Sequence, residues 1–327
     1  MNQTQSEAAP VEFALVLDGQ GGAHLLDNGS WQNWQPGHGF LWLHLRSGNG
    51  AARDLLTERF KLDPARWDAF ADDASHSRCI RLDTGVLLNF RGLTANPTSH
   101  GGTQPLSLWL EADHAISLGA DEPLALLEMR RRLETGQGPA TAADLPACLM
   151  QLLYETYRVR LQGLTDLAER LQDRIYEDLS KDFQTRLSLV RRHASRLNQL
   201  LDDQHRLMED LQGLSLPWLS HQASPGLRVP RDQLHQLLGN MRSLREHLHG
   251  LQDELNGLLD HRVNERLYLL TVVNGVCFPL VFITGLLGVN VGGIPGANQP
   301  DAFWILCGLL VVLGGLVGWL LRRWHWL

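Results

Sequence analysis

The stretch that decides the fold is YLLTVVNGVCFPLVFITGLLG (268–288), followed by VNVGGIPGANQPD (289–301) and AFWILCGLLVVLGGLVGWLL (302–321). From Leu267 to Pro300 there is no Asp, Glu, Lys or Arg. A helix needs about 20 predominantly apolar residues to cross the hydrocarbon core of a bilayer, and each long run has that length. The Gly-, Pro- and Asn-rich segment between them cannot continue a helix and marks a tight connection. The sequence thus predicts two membrane-spanning helices, at 267–288 and 302–321, joined by a short loop at 289–301. The alternative is a buried hairpin in a soluble protein, and two uncharged spans of full length, joined so briefly, weigh against it.

Orientation follows from the flanks. Arg262 and Arg266 precede the first span, and Arg322, Arg323 and His325 follow the second, while the connecting loop has neither Lys nor Arg. The positive-inside rule places both termini in the cytoplasm and the loop outside. Trp304, Trp319, Trp324 and Trp326 suit anchoring at the membrane interfaces.

The rest of the chain is of a different character. Mean hydropathy over the 327 residues is −0.16, so the apolar residues are concentrated at the C-terminal end. A net charge of −7 argues against nucleic acid as a partner, which requires a basic footprint. Cys79, Cys148, Cys277 and Cys307 are far apart and lack the paired spacing of zinc or redox motifs, so all four are expected reduced and packed. The first thirty residues lack the apolar core of a secretory signal, which keeps the large N-terminal part cytoplasmic.

Residues 1–140 are expected to form an α/β cytoplasmic domain. VEFALVLDG, GFLWLHLRSG, RCIRLDTGVLLNFRG and PLSLWLEADHAISLG are strand-like runs, GQGG is a turn signal, and helical patches fall at about 51–72 and 123–135. Residues 141–266 change to long charged helices, predicted as a hairpin followed by a stalk helix. Leu149, Leu153, Leu164, Leu167, Leu171 and Ile175 share one helical face, and Phe183, Leu187, Val190, Leu197, Leu201 and Met208 share another. After Pro230, the residues Leu234, Leu237, Met241, Leu244, Leu248, Leu251, Leu255 and Leu258 alternate steps of three and four, a coiled-coil-like seam. No break separates that seam from the first span, so one helix over 231–288 would be about 87 Å long at 1.5 Å per residue. The fold class is therefore α+β: an α/β domain, a long-helix coiled stalk, two C-terminal transmembrane helices, and a basic tail at 322–327.

The first span carries a polar stripe. Asn264, Leu267, Thr271, Asn274, Phe278, Val281 and Gly285 step by three and four and lie on one face. An unpaired amide facing lipid costs several kcal/mol, so such residues face a bundle interior or a water path. Two helices cannot enclose a path, so several subunits would have to contribute. Interhelical hydrogen bonding as glue is the competing explanation. Gly308, Gly314, Gly315 and Gly318 mark the second span as a packing helix outside the bundle. The stripe has no carboxylate or Cys–His cluster, so a bare ion is poorly served, and amides and hydroxyls suit one that keeps part of its water shell. His235, His247, His249 and His261 lie on or beside the stalk; His261, close to Asn264 and Glu265, is a candidate zinc ligand at a vestibule, set against an ordinary solvated helix face. The pairs Asp202-Asp203, Glu209-Asp210 and Asp253-Glu254 are candidate cation-attracting charges under the same alternative. No nucleophile–base or metal-ligand motif in the soluble part points to an enzyme.

PLVFITGLLGVN (279–290), followed by VGGIPG (291–296), resembles the CorA superfamily of divalent-cation transporters. Those proteins carry a Gly-Met-Asn signature after a Pro-containing first span and commonly end in a basic, Trp-rich tail like RRWHWL (322–327). Here the signature is Gly288-Val289-Asn290, and its passage into VGGIPG is similar to the ZntB-type zinc transporters. The motif match covers 264–327; the remainder agrees in architecture. The resemblance implies a homopentamer with a cytoplasmic funnel in a bacterial inner membrane, first helices lining the pore and second helices outside, among membrane lipid. It implies a ring of Asn290 side chains at the outer mouth that binds a hydrated cation, with Gly288 shaping the turn. Val289 stands where magnesium transporters have Met, and the loop lacks the acidic residue many of them carry, which counts against magnesium. The implied activity is zinc transport, import favoured, with a proton gradient as a candidate driving force. The ion is cargo, and no resident cofactor is expected. The rivals are a magnesium, cobalt or nickel transporter and, from another class, a membrane-anchored scaffold.

Overall fold

The computed structural model describes residues 11–27, 29–47, 50–71, 77–93, 102–119, 123–214, 218, 226–289 and 301–323. They fall into two compact units, Met1–Arg174 with Ser180–His249, and Ile175–Leu179 with Gly250–Leu327.

The first unit is built on a seven-stranded mixed sheet with strand order β2-β1-β3-β7-β6-β5-β4. Its strands are β1 (Val11–Leu17), β2 (Ala23–Leu25), β3 (Phe40–Arg46), β4 (Arg78–Arg81), β5 (Val86–Leu93), β6 (Thr103–Leu110) and β7 (His114–Gly119). Only β3 and β7 pair in parallel; the other ladders are antiparallel. The central strands are buried at nearly every residue, as they must be when helices cover both faces. On one face, Leu41, Leu43, Leu45, Leu87, Trp109 and Ile116 form a core with helices α1 (Gly50–Arg59) and α2 (Pro64–Ala71). The helices α3 (Leu124–Glu134), α4 (Asp144–Gln172) and α5 (Lys181–Gly213) also pack on the sheet, through β5 and, for α5, β4 as well.

Two of the expected strand runs each contain a complete hairpin. RCIRLDTGVLLNFRG turns at 82–85, where Leu82 N–H donates to Gly85 C=O at 2.9 Å. PLSLWLEADHAISLG turns at 111–114, where Glu111 N–H donates to His114 C=O at 2.9 Å. The helical patch expected at 51–72 is two helices, because Lys61 takes a left-handed conformation with φ of 53° and ends the first. GQGG is a turn held by Asp18, whose carboxylate accepts from Gln20 N–H at 2.7 Å and Gly22 N–H at 2.9 Å.

The start of α4 is set by a reciprocal pair, Thr141 N–H to Asp144 Oδ2 at 3.1 Å and Asp144 N–H to Thr141 Oγ1 at 3.3 Å, in the manner of a capping box. Ser180 caps α5 by accepting from Phe183 N–H at 3.2 Å. The predicted apolar faces of these helices are buried with one exception. Leu167 is 42% exposed, and Ala168, one position on, takes the buried place instead.

The helix that follows, α6 (Arg228–Leu287), is unbroken over 60 residues, about 90 Å. Its seam residues from Leu234 to Leu255 are buried as the heptad spacing requires. In the second unit the remaining element is α7 (Ala302–Arg323), 22 residues or about 33 Å, enough for the hydrocarbon core. All four cysteines are free, and Cys277 is exposed on α6 where a packed position was expected.

Glu12 of β1 and His44 and Arg46 of β3 form an ionisable cluster within the sheet. The fully buried His44 has Nε2 3.4 Å from Glu12 Oε2, and Arg46 reaches the other oxygen of Glu12. The imidazole first, and then the guanidinium, hold the Glu12 carboxyl down to about 2 from 4.5. A carboxyl lowered on folding stabilises the fold above its unfolded pKa and loses that contribution as the pH falls through its folded value. The thermal midpoint of the wild-type protein in detergent should therefore exceed that of Glu12→Gln near pH 6, and the difference should vanish between about pH 4.5 and pH 2. A difference that stays constant on acidification would show that the charge on Glu12 contributes nothing.

Candidate ion pathway on the long helix

The transmembrane part of α6 has two faces set by its sequence. Val272 is 9% exposed, and Val276, Pro279, Leu280 and Ile283 are half-buried. The facing side of α7 is formed by Leu306, Leu310, Leu313, Gly314 and Val317, also half-buried and spaced four, three, one and three apart. Gly314 lies beside Leu280: a Cβ built there would stand 3.6 Å from Leu280 Cδ1, an ordinary contact distance.

All seven residues of the expected stripe are exposed: Asn264, Leu267, Thr271, Asn274, Phe278, Val281 and Gly285. At 100° per residue the axis of this stripe lies about 155° from the axis of the face that meets α7. The side of α6 turned away from α7 therefore carries the amides and the hydroxyl. Thr271 Oγ1 donates to Leu267 C=O of its own helix at 2.8 Å, which leaves its lone pairs outward. Asn264 and Asn274 make no side-chain hydrogen bond among the described residues. Pro279 has no N–H to give to the carbonyl of Gly275, so α6 holds a spare carbonyl oxygen beside Asn274.

At the C-terminal end of α6, Gly288 N–H closes the helix on Thr284 C=O at 2.9 Å. A Cβ on Gly288 would press to 3.1 Å from that same carbonyl, tighter than an ordinary contact, which gives glycine a local reason here. Val289 is 49% exposed. Asn290 and the rest of the loop to 300 lie outside the described residues, as do Trp324, His325 and Trp326 of the tail. Trp304 and Trp319 are exposed, and Arg323 lies 5.4 Å from the Trp319 ring centre, a cation–π contact suited to an interface.

Three of the four stalk histidines are engaged locally, and His249 makes no such contact among the described residues. His261 Nε2 lies 3.4 Å from Glu265 Oε1, both side chains well exposed, and the pair sits about 130° round the helix from the stripe. His247 bonds Gln172 at 2.7 Å, and His235 meets His205 edge-on with ring centres 5.6 Å apart. The acidic pairs are also engaged: Asp202 accepts from Asn198, Glu209 lies 3.5 Å from His205, Glu254 accepts from Tyr176, and Asp203 is buried.

One helix of the chain, α6, has an apolar window of membrane-crossing length, and the apolar Phe303–Trp319 follows it in α7. A sheet domain joined by an unbroken long helix to an apolar helical pair, with polar groups on the outward face of the first helix, is the architecture of a membrane ion transporter. The family model for CorA-like Mg2+ transporter proteins matches residues 37–323, and the chain belongs to that family of divalent-cation transporters. Among relatives, the divalent cation transporter CmaX of Pseudomonas aeruginosa is 30% identical over 88% of this chain and 87% of its own. The zinc transport protein ZntB of Pectobacterium atrosepticum is 27% identical over 96% of this chain and 95% of its own. The structure of full-length CmaX superposes with a TM-score of 0.80 at 27% identity over 97% of this chain and 98% of that one. The CorA magnesium transporter of Methanocaldococcus jannaschii has the same fold, with a TM-score of 0.80 at 18% identity over 96% of this chain and 98% of that one. Members of this family are transporters, not enzymes.

The two faces of α6 make a prediction for the assembled protein. With Cys277 and Cys307 replaced by Ser, single cysteines at Asn264, Thr271 and Asn274 should react with a hydrophilic thiol reagent. Cysteines at Val276 and Ile283 should be at least about tenfold slower, because α7 covers that face. Equal rates on the two faces would remove the stripe as a water-exposed path.

Proposed function

We propose that the chain carries zinc into the cell through a homopentameric pore in the bacterial inner membrane, with both termini cytoplasmic and 289–301 outside. The observation that carries this is the stripe from Asn264 to Gly285, exposed on the face of α6 turned from α7. An unpartnered amide in hydrocarbon costs on the order of 2–7 kcal/mol, and Asn274 lies within the span, so the stripe needs copies of itself around water. Closed rings are the usual outcome for identical subunits, and the resemblance of 279–296 to the ZntB-type signature indicates five. In the same reading Asn290 forms the outer ring. Carbonyl oxygens there hold a hydrated ion strongly enough to concentrate it and weakly enough to release it. Zinc is the cargo, with no resident cofactor, and a carrier without an ATPase domain runs on an existing gradient, here that of zinc or of protons. Support for zinc comes from Val289 in the signature and from relatives named as zinc transport proteins along nearly the whole chain.

A broader selectivity is the second reading, favoured by the relative at 30% identity, whose name specifies only divalent cations. The stripe's neutral oxygen ligands, which read a hydrated ion mainly through its water shell, fit it as well. Vesicles containing the purified protein and a metal-sensitive dye separate the two: zinc flux should exceed magnesium flux at equal gradients, and a pH gradient should change the zinc rate if protons drive it. Equal fluxes of zinc, magnesium, cobalt and nickel would establish the broader reading.

Asn290→Ala should cut zinc flux by at least about tenfold and leave the oligomer intact, because an outer ring acts on the ion and not on packing. The detergent-solubilised assembly should have a mass of about 184 kDa, five chains of 36.7 kDa each. Normal flux through Asn290→Ala, or transport by a monomer or dimer, would overturn the pore reading.

A further inference from the structure

We propose that the β6–β7 turn of the sheet unit is a binding site for a divalent transition-metal ion of the zinc class, held by His114, Asp113 and Glu111. One ligand atom from each of these three residues lies within 4.8 Å of the other two. The site is separate from the stripe on α6 and does not depend on how ions cross the membrane.

The turn is rigidly placed. Glu111 N–H donates to His114 C=O at 2.9 Å, and Leu41 N–H of the neighbouring strand donates to Asp113 C=O at 3.1 Å. His114 begins β7, is 8% exposed, and is enclosed by the rings of Trp34, Phe60 and Trp109, with centres 6.2, 5.1 and 5.4 Å away. Its Nδ1 faces Asp113 Oδ1 at 2.7 Å. Its Nε2 is buried and has no hydrogen-bond partner.

That unpartnered nitrogen decides what the cluster wants. A bare lone pair on Nε2, enclosed by three aromatic rings, is a desolvated acceptor, whereas an N–H there is tolerated against π faces. With the proton on Nε2, the neutral ring turns the Nδ1 lone pair toward the Asp113 carboxylate. Two acceptors at 2.7 Å repel unless a positive centre joins them, and that centre is either a second proton or a metal ion. The surrounding charge favours the metal. Among the described residues Glu111 meets only the Thr84 hydroxyl, at 3.0 Å, and the Asp113 carboxylate meets only His114. Among the described residues no Lys or Arg pairs with either carboxylate. One imidazole nitrogen and two carboxylate oxygens, with water completing the shell, is a donor set for zinc, cobalt or nickel and not for magnesium, which prefers oxygen alone.

The test uses the full chain in detergent and titration with Co2+, whose visible absorption reports nitrogen–oxygen coordination. The wild type should bind one Co2+ per chain more than Glu111→Gln or Asp113→Asn, with the extra absorption bleached by zinc and untouched by about a hundredfold excess of magnesium. Glu111 is half-exposed and held only by Thr84, so Glu111→Gln keeps the fold and carries the test alone if Asp113→Asn does not. Binding to either folded variant with the same stoichiometry and spectrum as the wild type would overturn the site, and so would displacement of the extra ion by magnesium. Binding is read without any flux, so a failure here leaves the transport reading standing, and a failure of zinc flux leaves this site standing.

Discussion

Hydrocarbon offers no hydrogen bonds, and every polar group carried into it must find a partner on the protein or in enclosed water. The main chain of α6 and α7 meets this demand through its own helical bonds, apart from the carbonyl of Gly275 that Pro279 leaves unmatched. The side chains of Asn264 and Asn274 do not meet it within one chain. One packing relation makes the shortfall directional. Val272, Val276, Leu280 and Ile283 are the buried and half-buried residues of α6, with Leu280 beside Gly314 of α7, so that side is given to the partner helix and the amides lie on the opposite one. Had the amides faced α7, they could have been satisfied as interhelical glue, and a single chain would have been self-sufficient. Their placement on the far side is what asks for further copies and for water between them.

The membrane part was legible in the sequence because its physical rules are strict. A span has a minimum length, charges are excluded from it, and a step of three and four puts residues on one face of any helix. The same periodicity gave the buried seam from Leu234 to Leu255 and the cores of α4 and α5. Leu167 departed from its pattern because a seven-residue spacing drifts against the 3.6-residue turn, and small Ala168 served the packed position. The sheet was less legible. Its central strands are buried on both faces, so alternation vanishes, and the β6–β7 turn at Ala112-Asp113 has no Gly or Pro to mark it. That is why the turn at 111–114 was hidden inside one apparent strand, and with it the closeness of Glu111, Asp113 and His114. The E-x-D-H spacing in an otherwise apolar run was the available signal: three ionisable residues within four positions end a buried strand more readily than they continue it.

The stalk illustrates the opposite error, in which a sequence offers more chemistry than the fold uses. Fourteen histidines and thirty-six acidic residues supply many pairs that a metal might bridge. On long exposed helices these side chains find each other at i and i+4 or across a helix pair, as His261 with Glu265 and His247 with Gln172 do. Such contacts form in high dielectric and hold little energy. An ion gains more where protein structure has already fixed the donors, as the rings around the buried His114 do and a solvated helix face does not.

The two candidate cation positions therefore differ in kind, and the difference follows from what each must do. A path for flux has to release the ion at every step, so it is best lined with neutral oxygens that leave the water shell largely in place, such as the amides of Asn264 and Asn274 and the spare carbonyl of Gly275. Nitrogen and charged oxygen ligands on that stripe would bind zinc too tightly for it to move on. At the β6–β7 turn nothing needs to pass. There an imidazole locked by Trp34, Phe60 and Trp109 and two uncompensated carboxylates form a donor set that strips part of the water shell and holds the ion. Under the two proposals the cargo ion would meet weak neutral ligands where it must travel and strong ones where it can rest, with the stripe and the β6–β7 turn on separate units.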